Sequence, residues 1–142
     1  MIRLVIFDFD GVIADSEVIA LDELRRLLGE YGLEMDLPAL MDRFLGASLA
    51  SIIAVVQDHT GQVVGDAFRK TWYERLFARY RQELRMVPGI VPLLEGLDAA
   101  GIDYCIASGS SPVRLAVALG CLGLTERFAG RAFSAEEVAR GK

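Results

Sequence analysis

Leu4-Val5-Ile6-Phe7 is a run of strand-forming residues that stops at Asp8-Phe9-Asp10-Gly11, where two carboxylates and a glycine interrupt it. A strand that is apolar at consecutive positions, rather than at alternate ones, has the pattern of burial on both faces in a parallel sheet. Parallel strands need crossover connections, usually helices, so this run already points to an α/β fold. A second run, Ile102-Asp103-Tyr104-Cys105-Ile106-Ala107, ends at Ser108-Gly109-Ser110-Ser111. A weaker third, Arg131-Ala132-Phe133, ends at Ser134. Between them Ser111-Pro112 offers a helix N-cap followed by a proline at the first helical position. Ser134-Ala135-Glu136-Glu137 matches a capping box and predicts a further short helix.

The stretch from 16 to 86 has another character. Ser16 is expected to cap a helix reaching about Tyr31, with Ile19, Leu24, Leu27 and Leu28 at helical spacing and Gly32 as its stop. Pro38 starts a second helix that runs to about Leu45. A third carries Leu49, Ile52, Ile53 and Val56 and ends near Thr60-Gly61. A fourth places Phe68, Trp72, Leu76, Tyr80 and Leu84 four residues apart, a single apolar stripe that reads as core. Arg69, Lys70, Arg75, Arg79, Arg81 and Arg85 read as a solvated face. Nothing here alternates with period two for long. The partition is therefore an α/β core from residues 1–15 and 87–142, with an all-helical insertion at 16–86.

Composition removes several classes. The chain is 53% hydrophobic and 25% charged, a folding and not a disordered composition. With 15 basic against 20 acidic side chains its net charge is −5, which argues against sequence-independent nucleic-acid binding. No run of 18 apolar residues is present to span a bilayer. The apolar start reaches Asp8 too soon for a signal-peptide core. Cys105 and Cys121 form no disulfide framework and no CxxC pair, and their apolar surroundings read as buried free thiols. These readings predict a soluble cytoplasmic protein that binds neither nucleic acid nor membrane.

The chemistry is concentrated after the first strand. Ligands of open α/β sheets bind at the carboxyl ends of strands, where Asp8 and Asp10 lie. Two neighbouring anions repel one another, and a divalent cation relieves that repulsion; Mg²⁺ prefers carboxylate oxygens while keeping waters and substrate phosphate. Such a pair suits phosphoryl transfer to an aspartyl nucleophile, with a second acid to move the proton.

Asp8, Asp10, Gly11, Asp15 and Ser16 match the pattern DxDGxxxDS. In this the sequence resembles the haloacid dehalogenase-like phosphohydrolase superfamily, in the branch with a helical cap inserted after the first strand. Ile106-Ala107-Ser108-Gly109-Ser110 is similar to that family's second motif, Gly141-Lys142 to its third, and Gly46 to its cap-loop glycine. The resemblance implies a partial parallel Rossmann-like core. It implies Asp8 as the nucleophile, Asp10 as the acid and base, and Ser108, Gly109 and Lys142 as holders of the phosphoryl group. It also implies Mg²⁺ held by Asp8 and by the Asp10 carbonyl. The substrate implied is a small phosphorylated metabolite, such as a sugar or polyol phosphate.

β-Phosphoglucomutase-like relatives share the first motif but carry an Arg three residues after the cap-loop glycine, where this chain has Leu49. That disfavours the mutase alternative, and Asp10 argues against dehalogenase and phosphonate-hydrolase chemistry. The family's fourth, acidic motif would follow Lys142, so the sequence reads as the N-terminal part of a phosphatase. On that reading Leu4–Phe7 is an open apolar edge through which copies of the chain are expected to dimerise. A non-catalytic binding or oligomerising role is the alternative from another class.

Overall fold

A strand, four helices, a fifth helix and a second strand follow one another before the chain returns for a third strand. The computed structural model of the protein describes residues 1–138. Its elements are β1 (Leu4–Phe7), α1 (Glu17–Glu30), α2 (Leu37–Phe44), α3 (Leu49–Thr60), α4 (Gly65–Glu83), α5 (Ile90–Ala99), β2 (Asp103–Ser108), α6 (Pro112–Cys121) and β3 (Ala132–Ser134). A 3₁₀ turn, Ala135–Glu137, closes the described chain. The chain divides into two units, Met1–Glu17 with Tyr80–Lys142, and Val18–Arg79. The second division falls inside the last turn of α4 and assigns Tyr80 to the unit that carries the sheet.

In the first unit the three strands lie parallel in the order β1-β2-β3. Leu4 pairs with Asp103 and Phe7 with Ile106, while Ile106 pairs with Ala132 and Ser108 with Ser134. Phe7, Ser108 and Ser134 therefore end their strands on one rim. Ser111 caps α6 as expected, accepting from the Arg114 N–H at 3.4 Å with Pro112 in the first turn. The capping box at Ser134 and Glu137 is also formed. Phe7, Tyr104 and Phe128 pack edge to face, with ring centroids 6.4 and 5.6 Å apart, beside the fully buried Ile106 and Leu94.

Burial of the strands on both faces does not hold among the described residues. Leu4 is 50% and Ile6 63% exposed, because β1 is the outer strand and only the face of Phe7 is covered. Cys105 and Cys121 are half-buried free thiols rather than buried ones; Cys105 sits on the less covered face of β2. No single helix among the described residues is long and apolar enough to cross a membrane.

The second unit is built of helices joined by turns, with no strand among its residues. Asp36 and Ser48 cap α2 and α3 through the Ala39 and Ser51 N–H groups. Gly46 turns the chain between them at φ +76, a conformation that other residues adopt only under strain. Phe68, Trp72 and Leu76 are buried, as their spacing of four predicts. Each such side chain contributes about 1.5–3 kcal/mol on leaving water.

The basic face expected on α4 is only partly solvated. Arg75 clasps Glu30 with two hydrogen bonds, at 2.6 and 3.0 Å, and Arg79 reaches Asp22 at 2.8 Å. Both also lie within 4 Å of Glu23, whose side chain is almost wholly buried. A carboxylate buried there requires counter-charges, and these two arginines supply them.

The same pairing makes this unit sensitive to acid. Burial pushes the Asp22 carboxyl up, but hydrogen bonds from Arg25 and Arg79 and the charge of Arg26 outweigh it, leaving it below its ordinary 3.8. The Arg75 hydrogen bond brings Glu30 below its ordinary 4.5. Groups lowered by folding stabilise fully above their unfolded values and lose that stabilisation as pH falls through the folded ones. Stability to urea is therefore expected to decline between about pH 5 and pH 3. The Asp22→Asn/Glu30→Gln double variant should show a shallower decline over the same interval.

Candidate active site

Alternation along the exit from β1 sorts three consecutive residues. Asp8 is exposed, Phe9 is 1% exposed, and Asp10 is half-buried. The Asp8 carboxylate accepts the Phe9 N–H at 2.7 Å. Beyond Asp10 the chain folds back on itself. The Phe9 carbonyl accepts the Ile13 and Ala14 N–H groups at 2.9 and 3.1 Å, and the Gly11 N–H donates to the Ala14 carbonyl at 2.8 Å. Gly11 holds φ +75, a conformation that favours glycine, and a Cβ there would displace the exposed Glu17 carboxylate from 3.2 Å. The returning chain pins the turn through Asp15 N–H to the Arg85 carbonyl and Val87 N–H to the Ile13 carbonyl, each at 2.9 Å.

This turn delivers the Asp10 carboxylate to three donors. Oδ1 accepts from Ser16 Oγ at 2.5 Å and from Arg114 Nη2 at 2.9 Å, while Oδ2 accepts from Ser110 Oγ at 2.6 Å. Ser16 stands just before α1 as expected, and its hydroxyl donates to Asp10. Arg114 also donates from Nε to the Tyr80 hydroxyl at 3.0 Å. Burial pushes the Tyr80 phenol up, with the Asp10 charge adding to this and Arg114 opposing it, so the phenol remains a neutral acceptor for the guanidinium. Ser134 Oγ donates to the Ser110 carbonyl at 2.6 Å, tying the end of β3 to the loop after β2.

Of the residues expected from the sequence, Asp8, Asp10, Ser108 and Gly109 all belong to the carboxyl rim of the sheet. Ser108 ends β2, is buried, and accepts the Ser110 N–H at 3.0 Å, which leaves its own hydroxyl proton for a further acceptor. Gly109 has open space where a Cβ would point. Lys142 lies outside the described residues. Among the described residues no three His, Cys, Asp or Glu side chains gather as a metal cluster. Three of the four lone-pair directions of the Asp10 carboxylate face protein donors, so its main-chain carbonyl is the less committed oxygen to offer a cation.

Ser110, Arg114 and Tyr80 are site residues that the sequence reading passed over. Arg114 carried a signal all the same. A cation in the first turn of a helix faces the positive end of the dipole and is disfavoured there unless an anion waits for it. Tyr80 was hidden as a member of an apolar stripe.

Residues 5–142 match the family of haloacid dehalogenase-like hydrolases. The chain belongs to that family. It is 28% identical over 142 residues to 6-phosphogluconate phosphatase of Escherichia coli, covering 99% of this chain and 63% of that protein. Over 134 residues it is 28% identical to phosphoglycolate phosphatase of Agrobacterium fabrum, covering 89% of this chain and 56% of that one. Among solved structures it resembles a haloacid dehalogenase family hydrolase of Deinococcus radiodurans crystallised with phosphate and sodium. That likeness has 30% identity and a TM-score of 0.70, and covers 99% of this chain and 62% of the other. This haloacid dehalogenase-like chain thus spans less than two thirds of the length of the relatives it matches.

Gly109 gives a clean test of the rim's geometry. Since a Cβ there meets nothing within 4 Å, Gly109→Ala should change stability by no more than about 0.5 kcal/mol, measured by thermal denaturation.

Proposed function

We propose that the protein is a Mg²⁺-dependent phosphatase of small phosphate monoesters, sugar or polyol phosphates, acting through an aspartyl-phosphate on Asp8. The observation that carries this reading is the division of labour between two carboxylates one residue apart. Asp8 is exposed at the end of β1, whereas Asp10 is gripped by three side-chain donors. A nucleophile needs access and a proton carrier needs a set position.

An Asp8 carboxylate oxygen forms a bond to phosphorus as the ester P–O bond breaks, and the departing oxygen keeps that electron pair and takes a proton from Asp10. Water then gives a proton to Asp10 as its oxygen bonds to phosphorus, and the acyl phosphate opens to return the Asp8 carboxylate and inorganic phosphate. The Ser108 hydroxyl and the Gly109 N–H are suited to the phosphoryl oxygens, in the manner of an oxyanion hole. The Asp8 carboxylate and the Asp10 carbonyl are hard oxygen donors of the kind Mg²⁺ takes, and they are the groups that would hold it. When bound, the cation would neutralise charge on the phosphoryl group.

The names of the two phosphatase relatives support hydrolysis of a small phosphate ester, and the phosphate in the Deinococcus radiodurans structure supports an anion site in this fold. A cytoplasmic location belongs to the same reading, in keeping with free thiols and small metabolites.

In the full-length protein Asp8→Asn should abolish phosphate release, because an amide is a poor nucleophile. Asp10→Asn should slow turnover by about 10²–10⁴-fold, the usual contribution of general acid–base help. Near-normal turnover in either variant would defeat the mechanism. A panel including 6-phosphogluconate, phosphoglycolate and hexose phosphates, assayed with Mg²⁺, should yield inorganic phosphate. An isomerised sugar phosphate that needs a bisphosphate primer would instead indicate a mutase.

A further inference from the structure

We infer that Arg114 is a positioning residue for the proton transfer: it locks the Asp10 carboxylate so that Oδ2, and not Oδ1, faces the reaction. The inference rests on the phosphatase reading above. A carboxylate oxygen offers two lone-pair directions. At Oδ1 both are taken among the described residues, one by Ser16 Oγ and one by Arg114 Nη2. At Oδ2, among the described residues, only Ser110 Oγ is bound, so one direction stays open there.

Left to itself, a carboxylate turns readily about its last side-chain bond, because that torsion is broad and two-fold. Ser16 and Ser110 alone would let the carboxylate plane rock, since a freely rotating hydroxyl follows the oxygen it binds. The guanidinium fixes that plane and fills the second direction at Oδ1. Its plane is set by a second bond, Nε to the Tyr80 hydroxyl at 3.0 Å, and its backbone is set by the capped first turn of α6. Tyr80 is 1% exposed and so gives a fixed anchor. Arg114 and Asp10 are each about four-fifths buried, at 21% and 23% side-chain exposure, so little water competes for the pair. Arg114 is thus held at two points and in turn holds Asp10.

In the first step the Oδ2–H bond breaks, and its proton goes to the departing alcohol oxygen as the P–O bond opens. In the second step Oδ2 receives the proton that water gives up. Arg114 keeps its own protons throughout.

The test exploits leaving groups. An alkyl alkoxide needs that proton in order to leave, whereas 4-nitrophenolate leaves without it. Arg114→Met and Arg114→Lys are made in the full-length protein, and each is assayed on an alkyl phosphate from the panel and on 4-nitrophenyl phosphate. For Arg114→Met, kcat on the alkyl ester should fall about 10–100-fold, the scale of a misplaced catalytic group. Its KM and the pre-steady-state burst of 4-nitrophenolate should each stay within about threefold of the parent, since neither reports the proton transfer.

Arg114→Lys should recover part of the loss, as it restores the cation but not the second anchor. Tyr80→Phe, which keeps the buried ring and removes only the acceptor, should show the same selective loss more weakly. It carries the test if Arg114→Met fails to fold. A loss in the 4-nitrophenolate burst rate as large as the loss of kcat on the alkyl ester would overturn the inference in favour of a role in phosphate binding. A raised KM with unchanged kcat, or no loss at all, would overturn it as well. A parent protein that releases phosphate from neither ester would instead overturn the phosphatase reading, and this inference with it.

Discussion

A half-buried carboxylate must find donors or counter-charge, and in this protein one such group recruits three distant parts of the sheet-bearing unit. Asp10 accepts from residues 6, 100 and 104 positions away in sequence, Ser16, Ser110 and Arg114. Leaving such an anion unpartnered would cost several kcal/mol. The turn after β1, the loop after β2 and the first turn of α6 are therefore held in one arrangement by a single side chain. Ser134 extends the tie to β3 through the Ser110 carbonyl.

That arrangement works because the sheet is parallel. With Phe7 beside Ile106 and Ser108 beside Ser134, each strand releases its next residues on the same rim. The turn at Phe9–Ala14 then adds direction. Its backbone hydrogen bonds and the left-handed Gly11 swing Asp10 inward while Asp8 stays exposed. The two acids differ in type of neighbour, not in type of residue. The two roles proposed for them would then be set by environment.

The helical unit obeys the same rule in a different setting. Glu23 is nearly buried and stands between Arg75 and Arg79, which also clasp Glu30 and Asp22. In both units a carboxylate that packing removes from water draws in arginine, whose planar fork can serve two partners at once. Residues that look like a solvated basic face in sequence become internal counter-ions once helices pack.

Much of this was legible without coordinates. Local rules found β1, β2 and β3, the Ser111-Pro112 cap, the Ser134 capping box, the stop at Gly61 and the Phe68-Trp72-Leu76 stripe. Each depends only on neighbours a few residues apart. The DxDG pattern marked the candidate site for the same reason, since strand end, carboxylates and glycine are adjacent. Burial of β1 was misjudged because an apolar run says nothing of which of its faces is covered. The Asp10–Arg114–Tyr80 chain was out of reach because its members meet only through the tertiary fold. An arginine at the start of a helix and a tyrosine at the end of another have no period or spacing in common. The sequence by itself determined the elements and the acid pair, through local propensity and adjacency. Only the tertiary structure decided which acid is held and which stays exposed, because hydrogen bonds across a hundred residues depend on strand register and packing.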